Sequence, residues 1–388
     1  IFVFCATINY YGLSKFISLW FITRKCVCGR PWLFTFTFLA SMFILGALTS
    51  ASPAALIGWS ILYGVCEVCG YKRGDGYPTM IVFGIVFATQ IGQSMIPFKQ
   101  VALTVFSAYE TMSGSGIDYA KYMIIACFIC VLCSLFFILM GKYVFRPDMS
   151  KLRDLRADDL DQEGALNLNN VQKTILVFLF MLVILLLAPS FLPSGFFLTR
   201  FLKAIDNTGV VILLVTIMAC IRVDGKPLLN FKVMVDSGVT WGIVLLLAFV
   251  QPLTIGMASP DSGITDFLMG LIMPLFGESS PMTFALIIGF GAMLLTQVMN
   301  NGAVGVVLMP VIYSFSQATG MAPEIPLIMV VMCVHFAFLT PAASASAALL
   351  HGNEWSNTAV IWKTAPIAII GAYLSTAIVT MLLGPVLF

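Results

Sequence analysis

Charged side chains are scarce in this chain of 388 residues. Asp, Glu, Lys and Arg make up 10% of it, while hydrophobic residues make up 60%. A soluble domain has about 25% charged residues, so this chain has too few of them to cover a soluble surface. Strict alternation of apolar and polar residues is also absent, which argues against a membrane β-barrel.

The apolar residues form long runs that contain almost no ionisable side chains. Examples are Ile175–Leu192, Val210–Ile221, Trp241–Val250 and Ile367–Phe388. Several of these runs approach or reach the roughly 20 residues that a helix needs to cross the hydrocarbon core. The sequence therefore predicts an all-α polytopic membrane protein.

The signatures of an intramembrane enzyme are missing too. Neither His335 nor His351 lies in an H-E-x-x-H motif, and the residues 113–116 (Ser-Gly-Ser-Gly) are only superficially similar to a nucleophile turn. Asp75, between two glycines, falls in a predicted cytoplasmic loop. We expect no enzymatic activity, and the net charge of +2 gives no reason to expect a nucleic-acid partner.

Four cysteines form two close pairs, Cys26 with Cys28 and Cys66 with Cys69. Both pairs are predicted to face the cytosol, where thiols stay reduced, so we expect free thiols. A zinc site built from the two pairs is the alternative.

Clusters of positive charge predict which loops face the cytosol. Lys and Arg accumulate in cytoplasmic loops, and this chain has two such clusters: Arg24, Lys25 and Arg30, then Lys142, Arg146, Lys151, Arg153 and Arg156. The residues 146–170, the longest polar stretch, are predicted to form a cytoplasmic linker with an amphipathic helix as one option.

The region 31–69 is predicted to be a re-entrant hairpin. Both of its flanks carry positive charge, and a polar interruption at 49–53 divides it into halves too short for a full span. The next helix, 77–109, is interrupted near Ile91 and Gly92 and again near Lys99. Non-helical backbone at membrane depth is tolerated only where protein or a water-filled cavity surrounds it.

The second half of the chain repeats this plan from the opposite side. The hairpin 266–317 is interrupted at 296–302, and the helix 326–350 is interrupted at 340–344. The chain then divides into a partial first repeat, 1–145, the linker, and a second repeat, 171–388. Paired interruptions in an inverted repeat indicate the binding site of a secondary transporter. A channel-like or uncoupled pathway would also use re-entrant loops.

The interruptions suggest chemistry suited to an anion. Helix N-termini supply unpaired N–H donors and partial positive charge, and freed carbonyls can coordinate a cation. The side chains of Ser50, Ser52, Asn300, Asn301 and Ser344 add polar groups at the same places. For a serine such as Ser344, a hydrogen bond to a preceding carbonyl of its own helix is the alternative. Gln90, Gln93 and Gln297 are weaker candidates, since amides also bridge helices structurally.

The residues at these interruptions resemble the divalent anion/sodium symporter family of the ion transporter superfamily. The resemblance covers the whole chain and rests on Arg146-Pro147, Ile91-Gly92, the run from Leu339 through Ser344 to His351-Gly352, and the second tip, Asn300-Asn301-Gly302-Ala303 followed by Val307 to Pro310. The family marks each tip with Ser-Asn-Thr, and the first tip here has Ala51 in place of Asn.

The resemblance implies an elevator-type homodimer with a scaffold domain and a transport domain, in the cytoplasmic membrane of a bacterium. It implies that about three N-terminal scaffold helices are missing, and that the substrates are small organic anions, either dicarboxylates or citrate-like tricarboxylates. Sulfate, another oxyanion or an aminoacyl conjugate is the alternative cargo. The implied substrate-binding residues are Ser50, Ala51, Ser52, Lys99, Asn300, Asn301, Gly302, Pro341, Ala343 and Ser344.

Sodium is the coupling ion that the resemblance implies. One site would involve Asn300, Asn301, Gly302, Ala342 and Ser344, and another would lie near Ser50, Ser52, Ile91 and Gly92. Lys99 falls in the second of these regions, and our hypothesis is that its ammonium replaces a sodium ion or pairs with a substrate carboxylate. The alternative is a lysine that extends to the extracellular interface.

Overall fold

A computed structural model of the chain describes its backbone over most of its length. The described residues are 2–24, 27, 29–97, 99–114, 116–155, 168–192, 196–223, 225–238, 245, 248, 260–263, 267, 270 and 280–388. Most of the predicted helix at 241–257, the start of the hairpin at 266, most of the linker after 155, and Cys26 and Cys28 lie outside these residues.

The described residues are mostly helical, as the sequence predicts. The helices are α1 (Phe2–Tyr10), α2 (Leu13–Ile22), α3 (Pro31–Leu48), α4 (Ala51–Cys69), α5 (Gly76–Gly92), α6 (Gln100–Ser113), α7 (Tyr119–Met140), α8 (Asn170–Phe191), α9 (Phe197–Cys220), α10 (Phe231–Gly238), α11 (Pro281–Leu295), α12 (Asn301–Thr319), α13 (Glu324–Cys333), α14 (Ala345–His351) and α15 (Thr358–Leu387). A short antiparallel ribbon joins β1 (Arg222–Val223) to β2 (Lys226–Pro227).

Five of the described helices are long and apolar enough to cross a membrane, judged by length and composition. They are α3, α4, α7 with the turn that follows it, α12 and α15. Together with the shorter apolar helices, they confirm an all-α integral membrane protein. Because hydrocarbon offers no hydrogen bonds, helices that cross it must satisfy their own backbone groups.

Local sequence explains where several helices begin and end. Asn169 and Gln172 form a capping box at the start of α8, and Pro31 opens α3 at a position where its missing N–H costs nothing. Gly70 and Gly320 end α4 and α12 in the left-handed conformation that glycine adopts without strain.

The first discontinuous helix is broken close to the predicted place. Helix α5 ends at Gly92, one turn of 3₁₀ helix follows at Gln93–Met95, and α6 starts at Gln100. The buried Tyr122 of α7 donates a hydrogen bond to the carbonyl oxygen of Ser94 and so fixes this break.

The second discontinuous helix is broken earlier than predicted. The interruption was expected at 340–344, but α13 already ends at Cys333, so residues 334–339, which are apolar except for His335, are not helical either. A mostly apolar run of this kind favours a continuous helix, and side chains distant in the sequence, such as Gln297, help to stabilise the open backbone.

Two other boundaries also differ from prediction. The first helix is divided by Gly12, which has a φ of 70°. Helix α9 starts at Phe197 rather than Val210, because its first turns contain charged residues that resemble a loop. In the predicted second hairpin, the helix α11 begins at Pro281.

Two hydrophobic cores divide the molecule. A large core unites side chains of α3–α7 and α11–α15, together with part of α2. A small core unites α1 with α8–α10. Ala47 and Ile96, next to the first hairpin tip and the first break, belong to the small core, so the two groups of helices meet beside these interruptions.

The start of the linker is anchored to the large core on the predicted cytoplasmic side. Leu152 and Leu155 are buried there, Tyr71 donates a hydrogen bond to the carbonyl oxygen of Asp148 at 2.9 Å, and Lys151 donates to that of Gly70 at 2.8 Å. The Ser150 N–H bonds to the Asp148 carboxylate and lowers the pKa of that group from its ordinary value.

Two glycines allow α3 and α5 to touch backbone to backbone. A Cβ atom on Gly92 would lie 2.2 Å from the carbonyl oxygen of Phe43, and one on Gly46 would lie 2.3 Å from that of Thr89. Real Cβ atoms do not approach a backbone oxygen so closely. The first hairpin can therefore pack against the first discontinuous helix only because both positions lack side chains.

We predict that Gly92→Ala lowers the thermal stability of the detergent-solubilised protein. The added methyl group must push apart two backbones, and such overpacking costs about 1–3 kcal/mol. The matched control is Gly64→Ala, since a Cβ there has no heavy atom within 4 Å. Equal melting temperatures for Gly92→Ala and the wild type, followed by tryptophan fluorescence, would contradict this packing account.

Candidate functional site

The first hairpin tip presents an uncapped helix start. Ser50 has an extended backbone between α3 and α4, and its side chain makes no capping hydrogen bond. The first N–H groups of α4, from Ala51 and Ser52, therefore have no side-chain partner at the cap. Such N–H groups and the positive end of the helix dipole favour an anion.

Lys99 reaches from the first break to the same tip. Its Nζ donates a hydrogen bond to the carbonyl oxygen of Thr49 at 2.7 Å. Thr49 follows the last turn of α3, where carbonyl oxygens lack helical partners and carry partial negative charge. The ammonium thus lies where a cation is stabilised.

The second hairpin tip is capped by its own side chains. Asn300 accepts hydrogen bonds from the N–H groups of Gly302 and Ala303, and Asn301 accepts one from the Thr296 hydroxyl at 2.8 Å. Among the described residues, neither Asn amide nitrogen has a hydrogen-bond partner. These two groups remain available as donors at the start of α12.

The second tip is joined to the second break. Thr296 bonds to the carbonyl oxygen of Val334 at 2.8 Å. Gln297 donates to the carbonyl oxygen of Phe336 at 2.9 Å and accepts from the N–H of Leu339, while Thr340 donates to the carbonyl oxygen of Gln297. These side chains replace the helical hydrogen bonds that residues 334–339 lack.

Gln90 connects the two breaks. Its buried amide donates to the Ser344 hydroxyl at 2.6 Å, and Gln93 donates to its oxygen at 3.1 Å. Ser344 in turn donates to the carbonyl oxygen of Ala337 and accepts from the N–H of Ala347. Ser344 is thus a helix cap and a bridge, and its hydroxyl does not bond to the preceding turn of its own helix.

The structure brings several of the predicted site residues into contact with one another and with residues that were not predicted. Contacts connect Lys99 with the first tip, Asn301 with Thr296, and Ser344 with Gln90. Pro341, Ala342 and Ala343 form the turn before α14, Gly92 packs on Phe43, and the carbonyl oxygen of Ile91 accepts a bond from Ser94. Thr49, Thr296 and Thr340 were not predicted as site residues, although all three lie in the polar interruptions.

The two hairpin tips offer different chemical surroundings to a cation. At the first tip an ammonium group already contacts the Thr49 carbonyl. The oxygen atoms at the second tip belong to neutral carbonyl, amide and hydroxyl groups, which are suitable ligands for a sodium ion. Within the described residues no group of three or more His, Cys, Asp or Glu could hold a metal ion, and neither Cys66 nor Cys69 is part of a disulfide.

Comparison with known proteins places the chain in a family of transporters. The family described as the sodium:sulfate symporter transmembrane region matches residues 1–388. A sodium-dependent dicarboxylate transporter, SdcS, of Staphylococcus saprophyticus is 25% identical over 312 residues, which are 76% of this chain and 58% of that protein. An uncharacterized transporter of Synechocystis is 25% identical over 116 residues, which are 30% of this chain and 19% of that protein.

The chain thus spans little more than half the length of the first of these relatives. The family match, in contrast, extends over the entire sequence and agrees with the apolar helices and their interruptions. The chain belongs to the sodium:sulfate symporter family, whose members are divalent anion/sodium symporters.

Proposed function

We propose that the protein is a secondary transporter that carries small organic anions, either di- or tricarboxylates, across the cytoplasmic membrane. One observation carries the proposal: hydrogen bonds join each hairpin tip to the break of a discontinuous helix. A further hydrogen bond, from Gln90 to Ser344, links the two breaks. Interrupted helices of this kind form binding sites at the middle of a membrane. The similarity to a dicarboxylate transporter supports the substrate class.

The site offers compensation for the hydration that a dianion loses. One carboxylate would meet the uncapped N–H groups of Ala51 and Ser52 at the first tip. The other would meet the Asn300 and Asn301 amides and the Ser344 hydroxyl. Pro341, Ala343 and Gly302 would contribute backbone and shape, because they present no long side chain there.

The two hydrophobic cores support movement of the elevator type. The large core holds both hairpins and both discontinuous helices, and would move as a transport domain with the substrate. The small core would be part of the scaffold, completed in a homodimer. Packed cores move as units because their side chains interdigitate, so the plane between them, beside Ala47 and Ile96, is the expected sliding surface.

Lys99 gives the proposed transport cycle a fixed cation. The ammonium contacts the last turn of α3, where it supplies positive charge close to the substrate. It would replace one sodium ion, so transport would depend less on sodium than it would with a site that binds two sodium ions. The second sodium site, formed by Asn300, Asn301, Gly302, Ala342 and Ser344, would remain available to a coupling ion.

Sulfate is the second candidate substrate, because the matching family is described as sodium:sulfate symporters. Sulfate is also a dianion, but its charges lie on one centre and would not reach both hairpin tips. Because Lys99 supplies a fixed positive charge, the site could also exchange one anion for another without sodium.

Uptake into liposomes tests the substrate class. We expect labelled succinate uptake by the purified protein, with competition by unlabelled succinate and citrate and weaker competition by sulfate. The assay is run with a sodium gradient, a proton gradient, and an internal load of unlabelled succinate. Absence of succinate uptake under all three conditions would refute the dicarboxylate assignment, and stronger competition by sulfate would replace it with the second candidate.

Replacing Lys99 tests the fixed cation. We predict that Lys99→Ala lowers succinate uptake at least about tenfold in sodium-free medium, as expected when a charge-assisted contact is lost. Added sodium should restore part of the uptake, because it can enter the site that the ammonium leaves. The control is Lys173→Ala, which removes an exposed lysine at the start of α8.

Full uptake by Lys99→Ala with an unchanged dependence on sodium would remove Lys99 from the mechanism. The same loss in Lys173→Ala would show that the effect comes from the net charge of the protein.

A further inference from the structure

The connection between α14 and α15 is fastened to the first hairpin far from the site. Asn353 donates a hydrogen bond from Nδ2 to the Tyr63 hydroxyl of α4 at 2.7 Å. The backbone N–H of Asn357 donates to the Thr79 hydroxyl of α5 at 3.2 Å, and that of Gly74 donates to the carbonyl oxygen of Trp355. The first and second repeats are therefore joined at this end as well.

Aromatic and charged side chains complete this contact. The rings of Tyr63 and Trp355 stack with centroids 5.2 Å apart and planes 15° from parallel. The Arg73 guanidinium lies 6.0 Å from the Trp355 ring centroid and forms an ion pair with Glu354. We call the residues Tyr63, Arg73, Asn353, Glu354 and Trp355 the cytoplasmic clasp.

The ion pair contributes little to the clasp, and the ring stack and the hydrogen bond contribute most. The Arg73 and Glu354 side chains are 64% and 71% exposed, and exposed pairs add little because water screens them. Tyr63, Asn353 and Trp355 are half-buried. Stacked aromatic rings add stability beyond the area they bury.

A cavity of 450 Å³ lies beside the clasp, between α4 and α14. Its wall includes Leu56 and Trp59 of α4 and Leu349 of α14, as well as the clasp residues. Side chains therefore do not fill the space between the two helices on this side, and the clasp bridges it. The Trp355 ring already stacks on Tyr63 and lies 6.0 Å from the Arg73 guanidinium.

The two helices that the clasp joins lead to the proposed site. Tyr63 is about 20 Å along α4 from Ser50, by the rise of 1.5 Å per residue, and Asn353 follows α14, which starts next to Ser344. Because helices are stiff, the distance between α4 and α14 at the clasp affects the distance between their other ends, at the proposed site. We infer that the cytoplasmic clasp sets the separation between the first hairpin tip and Ser344, and thereby the length of dicarboxylate that the site holds.

This role makes the clasp residues positioning residues and rests on the proposed function. Loosening the clasp weakens binding of the best-fitting anion and leaves the rate of domain movement unchanged. A change in KM without a change in Vmax is therefore its signature. A merely structural role would reduce the amount of active protein, which lowers Vmax and leaves KM unchanged.

The test measures KM and Vmax for uptake of succinate and of glutarate, which is one methylene longer. We expect Trp355→Ala to raise the KM for succinate about two- to tenfold, the range that an aromatic pair implies, with a smaller increase for glutarate. Trp355→Phe keeps a ring to stack and should restore most of the affinity. Tyr143→Ala, which removes an exposed ring at the end of α7, is the control.

A second pair of variants covers the case in which Trp355→Ala does not fold. Tyr63→Phe and Asn353→Ala each remove one partner of the same hydrogen bond, and each should raise the KM for succinate. Asn353→Ala also removes the hydrogen bond that its Oδ1 accepts from the Trp355 N–H. The double variant should therefore raise the KM no further than Asn353→Ala alone, because Tyr63→Phe removes only a bond that Asn353→Ala has already removed.

The outcomes separate the two claims. Unchanged KM values in the clasp variants, or a loss of Vmax alone, would refute the role of the clasp in substrate binding. Succinate uptake by the wild type would still support the proposed function in that case. No uptake of either dicarboxylate by the wild type would overturn the proposed function itself and the clasp with it.

Discussion

The structure depends on the satisfaction of backbone polar groups inside the membrane. Hydrocarbon offers no hydrogen bonds, so an interrupted helix must find partners within the protein. Here the partners are side chains of the facing interruption: Lys99 bonds to the Thr49 carbonyl, Thr296 to that of Val334, and Gln297 to that of Phe336. Each break is stable because a hairpin tip lies against it, and this dependence assembles the candidate site.

The same constraint explains how a largely apolar chain could form the proposed anion site. Every interruption brings together one helix C-terminus, which attracts positive charge, and one helix N-terminus, which attracts negative charge. The first tip and its break contribute the ammonium of Lys99, and the second tip contributes neutral amides and hydroxyls. In the proposed site, compensation for a dianion would therefore come from the backbone and from one fixed charge, so the site would need few ionisable residues.

The sequence predicted the presence of the helices better than the residues at which they begin and end. Apolar runs and polar interruptions predicted most of the described helices and the first break, because the signals lie within a few residues of the feature. The second break contains the predicted residues 340–344 but begins earlier, at Val334. It extends further because the Phe336 carbonyl finds its hydrogen-bond partner in Gln297, about 40 residues away along the chain. The bridge from Gln90 to Ser344 and the clasp around Trp355 depend on contacts between the two halves, which no local pattern reveals.

Equilibrium binding of succinate, measured by calorimetry on the purified protein with and without sodium, tests the central claim most directly. If the two tips and their breaks form one anion site with Lys99 as its fixed cation, succinate binds in sodium-free buffer, with one molecule per chain. Sodium should strengthen this binding without being required for it. Binding that requires sodium absolutely would contradict the fixed cation, and no binding in either buffer would contradict the site.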